Sequence, residues 1–164
     1  MERLWSPWRT RYIEQARDQP EGCFLCELPK EGDDEKALIL ARGGTAFVIM
    51  NLYPYNPGHV LVAPFRHVAE PGDLIDQEIL DLGHLQQRSL DALGGEMRPD
   101  GYNVGLNLGR VAGAGIPGHL HWHVVPRWNG DTNFMSVTAD ARVLPESLEE
   151  TYAKLKPRFD APSS

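Results

Sequence analysis

The residues best suited to chemistry in this chain are three histidines within five positions. They lie in His119-Leu120-His121-Trp122-His123-Val124-Val125 and are half of the six histidines present. Imidazole can attack as a nucleophile, relay protons or ligate a metal near neutral pH, so three together form a reactive surface. In a β-strand alternate side chains share one face, about 6.6–6.8 Å apart. The spacing therefore predicts the three imidazoles in a row, with Leu120, Trp122 and Val124 turned the other way into a core. Two other readings stand beside this one. The row could be the polar face of a surface strand, or a metal-binding triad.

Two further groups sit upstream. Asn107-Leu108-Gly109-Arg110-Val111-Ala112-Gly113-Ala114-Gly115 is rich in glycine. Glycines let backbone N–H groups approach and cradle phosphate oxygens. Alone this stretch reads as a flexible connection; directly before the histidines it reads as a phosphate cradle. The only two cysteines form Cys23-Phe24-Leu25-Cys26. They cannot make a disulfide framework, and their spacing is that of a metal or redox pair. A redox pair opens a helix in a βαβ setting, and Pro29 with the charged stretch 29–36 argues against that. As metal ligands they are half of a tetrahedral zinc site.

These groups need a scaffold. Apolar runs of strand length occur at 37–41, 46–51, 59–64, 102–108 and 119–125. Arg42-Gly43-Gly44-Thr45 reads as a hairpin turn. Tyr53-Pro54-Tyr55-Asn56-Pro57-Gly58 must be a loop, because two prolines and a glycine break a ladder. Ile75, Ile79, Leu82, Leu85, Leu90 and Leu93 recur at helical spacing, predicting a helix over 73–93 that stops at Gly94-Gly95. A short helix is predicted over 146–155. Clustered strands with one long helix imply an α+β domain with an antiparallel sheet. His84, inside the long helical pattern, reads as a surface residue. Trp5 and Trp8 should bury against the sheet or a second subunit.

Composition excludes several classes. The 164 residues are 41% hydrophobic and 24% charged, which suits one folded domain. A formal charge of −7 argues against a nucleic-acid coat or an anionic-membrane binder. No run approaches the ~20 apolar residues of a membrane span. Met1–Arg11 lacks the apolar core of a secretory signal, so a cytoplasmic location is expected.

His-Leu-His-Trp-His-Val-Val resembles the histidine-triad motif, in which histidines alternate with apolar residues. The likeness extends through Asn51-Leu52-Tyr53-Pro54-Tyr55-Asn56-Pro57-Gly58-His59-Val60-Leu61-Val62 and Asn103-Val104-Gly105-Leu106-Asn107-Leu108-Gly109. The flanking segments look most like bacterial members that include diadenosine tetraphosphate phosphorylases, with fragile-histidine-triad hydrolases as more general relatives. The resemblance implies a five-stranded antiparallel sheet with one long helix and a short C-terminal helix. It also implies homodimers that join two sheets. On this basis 1–22 is an N-terminal extension, 23–130 the triad domain, and 131–164 a segment completing that domain.

The resemblance also implies roles. His121 would be the nucleophile, attacking the α-phosphorus of a nucleotide or dinucleoside polyphosphate to form a nucleotidyl-histidine. His123 would contact the phosphate or leaving group, and His119 would complete the triad. His59 would brace it, Asn51 would hold the ribose, and Asn107, Gly113, Ala114 and Gly115 would surround the phosphate. A structural zinc would be held by Cys23, Cys26, His67 and His119, with no organic cofactor. Where the hydrolases carry Ala-Gly-Gln, this chain has Ala112-Gly113-Ala114 and one extra residue before His119. Loss of that glutamine leans toward inorganic phosphate rather than water as acceptor, and leaves hydrolysis open. The competing functions are a nucleotide-binding scaffold with little catalysis, and a hydrolase built on an open zinc site.

Overall fold

The computed structural model describes residues 22–131 and 146–161. One antiparallel sheet runs in the order β1-β2-β3-β5-β4. The strands are β1 (Ile39–Arg42), β2 (Ala46–Met50), β3 (Val60–Pro64), β4 (Gly101–Leu106) and β5 (Trp122–Arg127). Three helices complete the described chain: α1 (Phe24–Glu27), α2 (Asp76–Met97) and α3 (Leu148–Asp160). The expected positions of Trp5 and Trp8 lie outside the described residues. Among the described residues no helix is long and apolar enough to cross a membrane.

The unbroken apolar runs in β2 and β3 are explained by burial on both faces of the sheet. On one face Leu40, Val48, Met50, Val60, Val62 and Val124 pack against α2 and α3. On the other, Ile39, Phe47, Ile49, Leu61 and Ala63 pack against Leu25 and its neighbours. That second layer anchors the cysteine-bearing segment on the same face as His123, which sits opposite Leu61.

The long helix differs from expectation at both ends. Pro71–Asp73 forms a separate 3-10 turn, and α2 starts only at Asp76. Its start is secured by Glu78, whose carboxylate accepts from the Ile75 N–H (3.0 Å) and pairs with Arg66 (2.7 Å). The helix then runs through Gly94-Gly95 to Met97 and ends on Arg98 in a left-handed conformation. Two glycines cost about 1 kcal/mol each in a helix interior, but packing outweighs them here. Leu93 is fully buried and Met97 packs on the same core. Gly94 is there for clearance, since a Cβ would stand 3.2 Å from the Tyr102 hydroxyl.

The C-terminal helix is also longer than the predicted 146–155. Ser147 Oγ accepts from the Glu150 N–H and Glu150 returns the bond to the Ser147 N–H, a reciprocal cap. Tyr152, Leu155 and Phe159 then form one buried stripe that carries the helix past Pro157.

The main correction concerns the histidine strand. β5 begins at Trp122, not at His119. Continuing the register in which Val62 faces Trp122 would set Pro64 opposite Leu120. Proline has no N–H to give a ladder, so β3 ends there and 119–121 run on without strand pairing. The Leu120 N–H instead donates to the Val68 carbonyl at 2.7 Å.

Gly58 sets the turn into β3 and hence the position of His59. Its φ is +77, and a Cβ there would lie 2.6 Å from Met97 Sδ and 3.0 Å from Leu93 Cδ2. Gly58→Ala is expected to destabilise the fold by about 2 kcal/mol or more, combining backbone strain with overpacking. Urea unfolding of the two proteins checks this; an unchanged midpoint would show that the turn relaxes freely.

Candidate functional site

The three histidines of the motif divide between two clusters. His121 and His123 stay together with ring centroids 5.1 Å apart, and His59 joins them at 5.1 Å from His123. The His119 ring turns instead to His67, edge-on at 5.2 Å. Leu120 and Val124 are buried and Trp122 packs on the helix-side core, as the alternation predicts.

Hydrogen bonds fix where each proton sits in the first cluster. The His121 ring is buried, and its Nδ1 lies 2.7 Å from the His119 carbonyl. A carbonyl only accepts, so Nδ1 carries the proton and Nε2 keeps its lone pair. Burial holds His121 below the ordinary histidine range, against the opposing pull of that carbonyl. The ring is therefore neutral near pH 7, with a bare Nε2.

His123 has the opposite tautomer, for an equally local reason. The Tyr55 backbone N–H donates to His59 Nδ1 at 3.0 Å. His59 must then carry its proton on Nε2, which lies 2.9 Å from His123 Nδ1. His123 Nδ1 accepts, so its own proton is on Nε2. That nitrogen is 3.4 Å from the Asn107 amide, whose oxygen is the group able to accept from it once the amide is turned. The site thus presents a lone pair on His121 and an N–H on His123.

The other expected residues fall around this pair. Asn51 lies 3.3 Å from His59 Nδ1, and its Oδ1 accepts the Tyr53 N–H at 3.0 Å, so it braces the loop as well as the histidine. Of the three amides expected to cradle phosphate, the Gly113 N–H is turned to the Arg110 carbonyl (3.0 Å). The Ala114 N–H is turned to the Gly109 carbonyl (3.3 Å). Gly115 stands outside those two bonds. Ala114 is buried, while Arg110 and His84 are exposed. A cleft of about 320 Å³ opens beside His123 and Asn107, walled by Tyr55, Asn103, Gly105 and Arg127. Sequence reasoning missed Tyr55, whose N–H orients His59 and whose ring stacks on His123 at 5.7 Å. Its role is carried by main chain in a loop, and residue type carries no signal for that.

The second cluster brings Cys23, Cys26, His67 and His119 together, with one donor atom from each lying within 4.8 Å of the others. His119 Nε2 donates to the Pro64 carbonyl at 2.8 Å, leaving Nδ1 bare toward Cys23 Sγ and Cys26 Sγ, both at 3.3 Å. His67 Nδ1 is 3.3 Å from Cys26 Sγ. A tetrahedral ion about 2.3 Å from sulfur and about 2.0–2.1 Å from nitrogen needs sulfur and nitrogen about 3.5–3.6 Å apart. Three sulfur–nitrogen separations of 3.3 Å fall a few tenths of an ångström short of that spacing, so the donor types and their convergence suit such an ion. Cys23 caps α1, a single turn followed directly by the 3-10 turn Leu28–Lys30. The pair does flank a helical turn, but among the described residues no βαβ unit surrounds it.

Comparison with known proteins agrees with this geometry. The family model for the HIT domain matches residues 34–130. The chain is a histidine-triad (HIT) protein. This HIT protein is similar to the AP-4-A phosphorylase of Mycobacterium tuberculosis, with 42% identity over 158 residues, 92% of this chain and 80% of that one. It is also similar to the bis(5'-adenosyl)-triphosphatase of Dictyostelium discoideum, 31% identical over 70% of this chain and 80% of that one. Among solved structures, a Zn-bound histidine triad family protein from Mycobacterium smegmatis superposes with a TM-score of 0.65. It is 24% identical and covers 84% of this chain and 91% of its own, a likeness of fold.

Burial and the neighbouring Cys23 push the Cys26 thiol up to about 11, so without metal Cys26 is protonated at neutral pH. An ion must displace that proton, so its apparent affinity climbs as pH rises. Titration of reduced metal-free protein with Co²⁺ is expected to show one ion per chain, a thiolate charge-transfer band and proton release. Binding should be tighter at pH 8 than at pH 6. Cys26→Ser should weaken it by more than about tenfold; equal affinity in the variant would remove Cys26 from the ligand set.

Proposed function

We propose that this HIT protein cleaves dinucleoside polyphosphates at the α-phosphorus in two displacement steps, with His121 as nucleophile. The observation that carries the reading is the opposed pair of tautomers, a bare Nε2 on His121 beside an N–H on His123. Binding alone needs neither, so the pair favours an enzyme over a scaffold.

In the first step His121 Nε2 forms a bond to the α-phosphorus. The bond to the leaving phosphate oxygen breaks, and that oxygen leaves as an anion that accepts a hydrogen bond from His123 Nε2–H. The His119 carbonyl holds the Nδ1–H of the imidazolium that results, as a fixed acceptor placed before the charge develops. In the second step an unprotonated oxygen of the acceptor phosphate attacks phosphorus, and the nitrogen–phosphorus bond breaks. Its electron pair returns to His121 Nε2, which restores the neutral ring with its proton still on Nδ1. Two displacements replace one difficult step. Asn107 and the Gly115 amide face the phosphate in this reading, and Asn51 takes the ribose.

Inorganic phosphate is the acceptor this reading favours. Ala114 stands where the hydrolases carry a glutamine, and a methyl group cannot orient water. The similarity to a phosphorylase points the same way. The reading includes a structural zinc in the Cys23/Cys26/His67/His119 cluster, for which two sulfurs and two imidazole nitrogens are a well-matched donor set. Bound there, zinc supplies cross-linking of distant segments and not Lewis acidity at the phosphate. It also includes a homodimer joined through β4, an edge strand whose Asn103, Val104 and Gly105 are exposed. A cytoplasmic setting suits a reduced cysteine pair.

Diadenosine tetraphosphate incubated with millimolar phosphate is expected to give ADP and ATP. AMP and ATP, unchanged by phosphate, would assign hydrolysis instead. His121→Ala should lower kcat by at least about a thousandfold with the fold intact. Retention of more than about a tenth of wild-type activity, far above what loss of a nucleophile allows, would sink the assignment.

A further inference from the structure

Among the described residues, His119 alone belongs to both clusters. Its Nδ1 faces Cys23 Sγ and Cys26 Sγ at 3.3 Å, and its Nε2–H is held by the Pro64 carbonyl at 2.8 Å. Its own carbonyl accepts the His121 Nδ1–H at 2.7 Å. The stretch 119–121 lies outside the strand ladder, which starts at Trp122. It is held by the Leu120 N–H bond to Val68, the His119 N–H bond to the Ile116 carbonyl at 3.3 Å, the Pro64 contact, and the Cys23/Cys26/His67/His119 cluster. Val68 directly follows His67, a second member of that cluster, so the cluster ties 67–68 to 119–120.

We infer that the Cys23/Cys26/His67/His119 cluster, when it holds its metal, positions the nucleophile: it fixes the His119 peptide and so selects the tautomer and direction of the His121 ring. This rests on the proposed roles of His121 and of the metal. His119 is thereby a positioning residue that acts through its main-chain oxygen. The physical reason is that a neutral imidazole has two tautomers of similar energy, and here the acceptor at Nδ1 singles out the one with a bare Nε2. The bond that does so weakens steeply with misalignment. A carbonyl displaced by about 1 Å would free the wrong tautomer and misdirect the ring, a change of the size that costs about a hundredfold in rate. His59 and His123 take their tautomers from the Tyr55 N–H, which is independent of the cluster.

The test uses full-length protein with ¹⁵N-labelled histidine, zinc-loaded and after chelation under reducing conditions. Long-range ¹H–¹⁵N spectra read the tautomer of each ring. With zinc, His121 should show one pattern, protonated on Nδ1. Without it, His121 should average between tautomers while His59 and His123 stay unchanged. The burst rate of nucleotidyl-histidine formation should fall at least about tenfold with nucleotide affinity little altered, and added zinc should restore both. A His121 pattern unchanged on metal removal overturns the inference. If the metal-free chain unfolds, cadmium-exchanged protein and His67→Ala loaded with zinc carry the test. In both, the His121 Nδ1 resonance must move while that of His59 does not, and its invariance overturns the inference equally. Zinc-dependent tautomer selection in a protein that turns over no dinucleotide would instead leave the positioning intact and refute the proposed reaction.

Discussion

The chemistry of this site depends on a single hydrogen bond between side chain and main chain, from His121 Nδ1 to the His119 carbonyl at 2.7 Å. A neutral imidazole is useful as a nucleophile only at the nitrogen that lacks the proton. The bond decides which nitrogen that is. Burial reinforces it by disfavouring the charged form of the ring, in which no lone pair remains.

The same device operates in the opposite sense two residues on. A backbone N–H from Tyr55 forces His59 to protonate on Nε2, and His59 passes the choice to His123. Two histidines on one short segment acquire complementary roles because one ring meets a main-chain acceptor and the other ultimately meets a main-chain donor. Main-chain groups suit this task because they are fixed by the fold and do not titrate. The proposed reaction requires a chain of net charge −7 to admit a polyanion. In that reaction neutral imidazoles, amide groups and a covalent intermediate do so without a strongly basic pocket.

The fold supplies rigidity where these bonds need it. Both faces of β2 and β3 are buried, so Val60–Pro64 cannot slip in register without exposing one core or the other. His59 and Pro64, at the two ends of that strand, contact the two histidine clusters. A strand of five residues thus sets the spacing between the cysteine–histidine cluster and the His121/His123 pair. The cysteine segment is a single helical turn, too short to persist alone. Leu25, fully buried, holds it against the sheet.

Much of this was legible in the sequence because it rests on periodicity and residue type. Alternation in His119–Val125 placed Leu120 and Val124 in a core, the apolar runs located all five strands, and the spacing of Cys23 and Cys26 read as half of a tetrahedral zinc site. The resemblance carried the family, the sheet and the pairing of those cysteines with His67 and His119. The helix ends were misjudged at Gly94-Gly95 and near Pro157, because local propensity there is outweighed by Met97 and Phe159 packing on a core assembled from distant strands. The row of three histidines was misjudged for a related reason. The residue that ends the ladder before this row is Pro64, which comes opposite Leu120 only once the sheet is formed. Tautomers could not be read at all, because they depend on the carbonyls of Pro64 and His119 and the N–H of Tyr55. Every residue type but proline carries both groups, so sequence names the imidazoles, and only the folded chain decides where each proton sits.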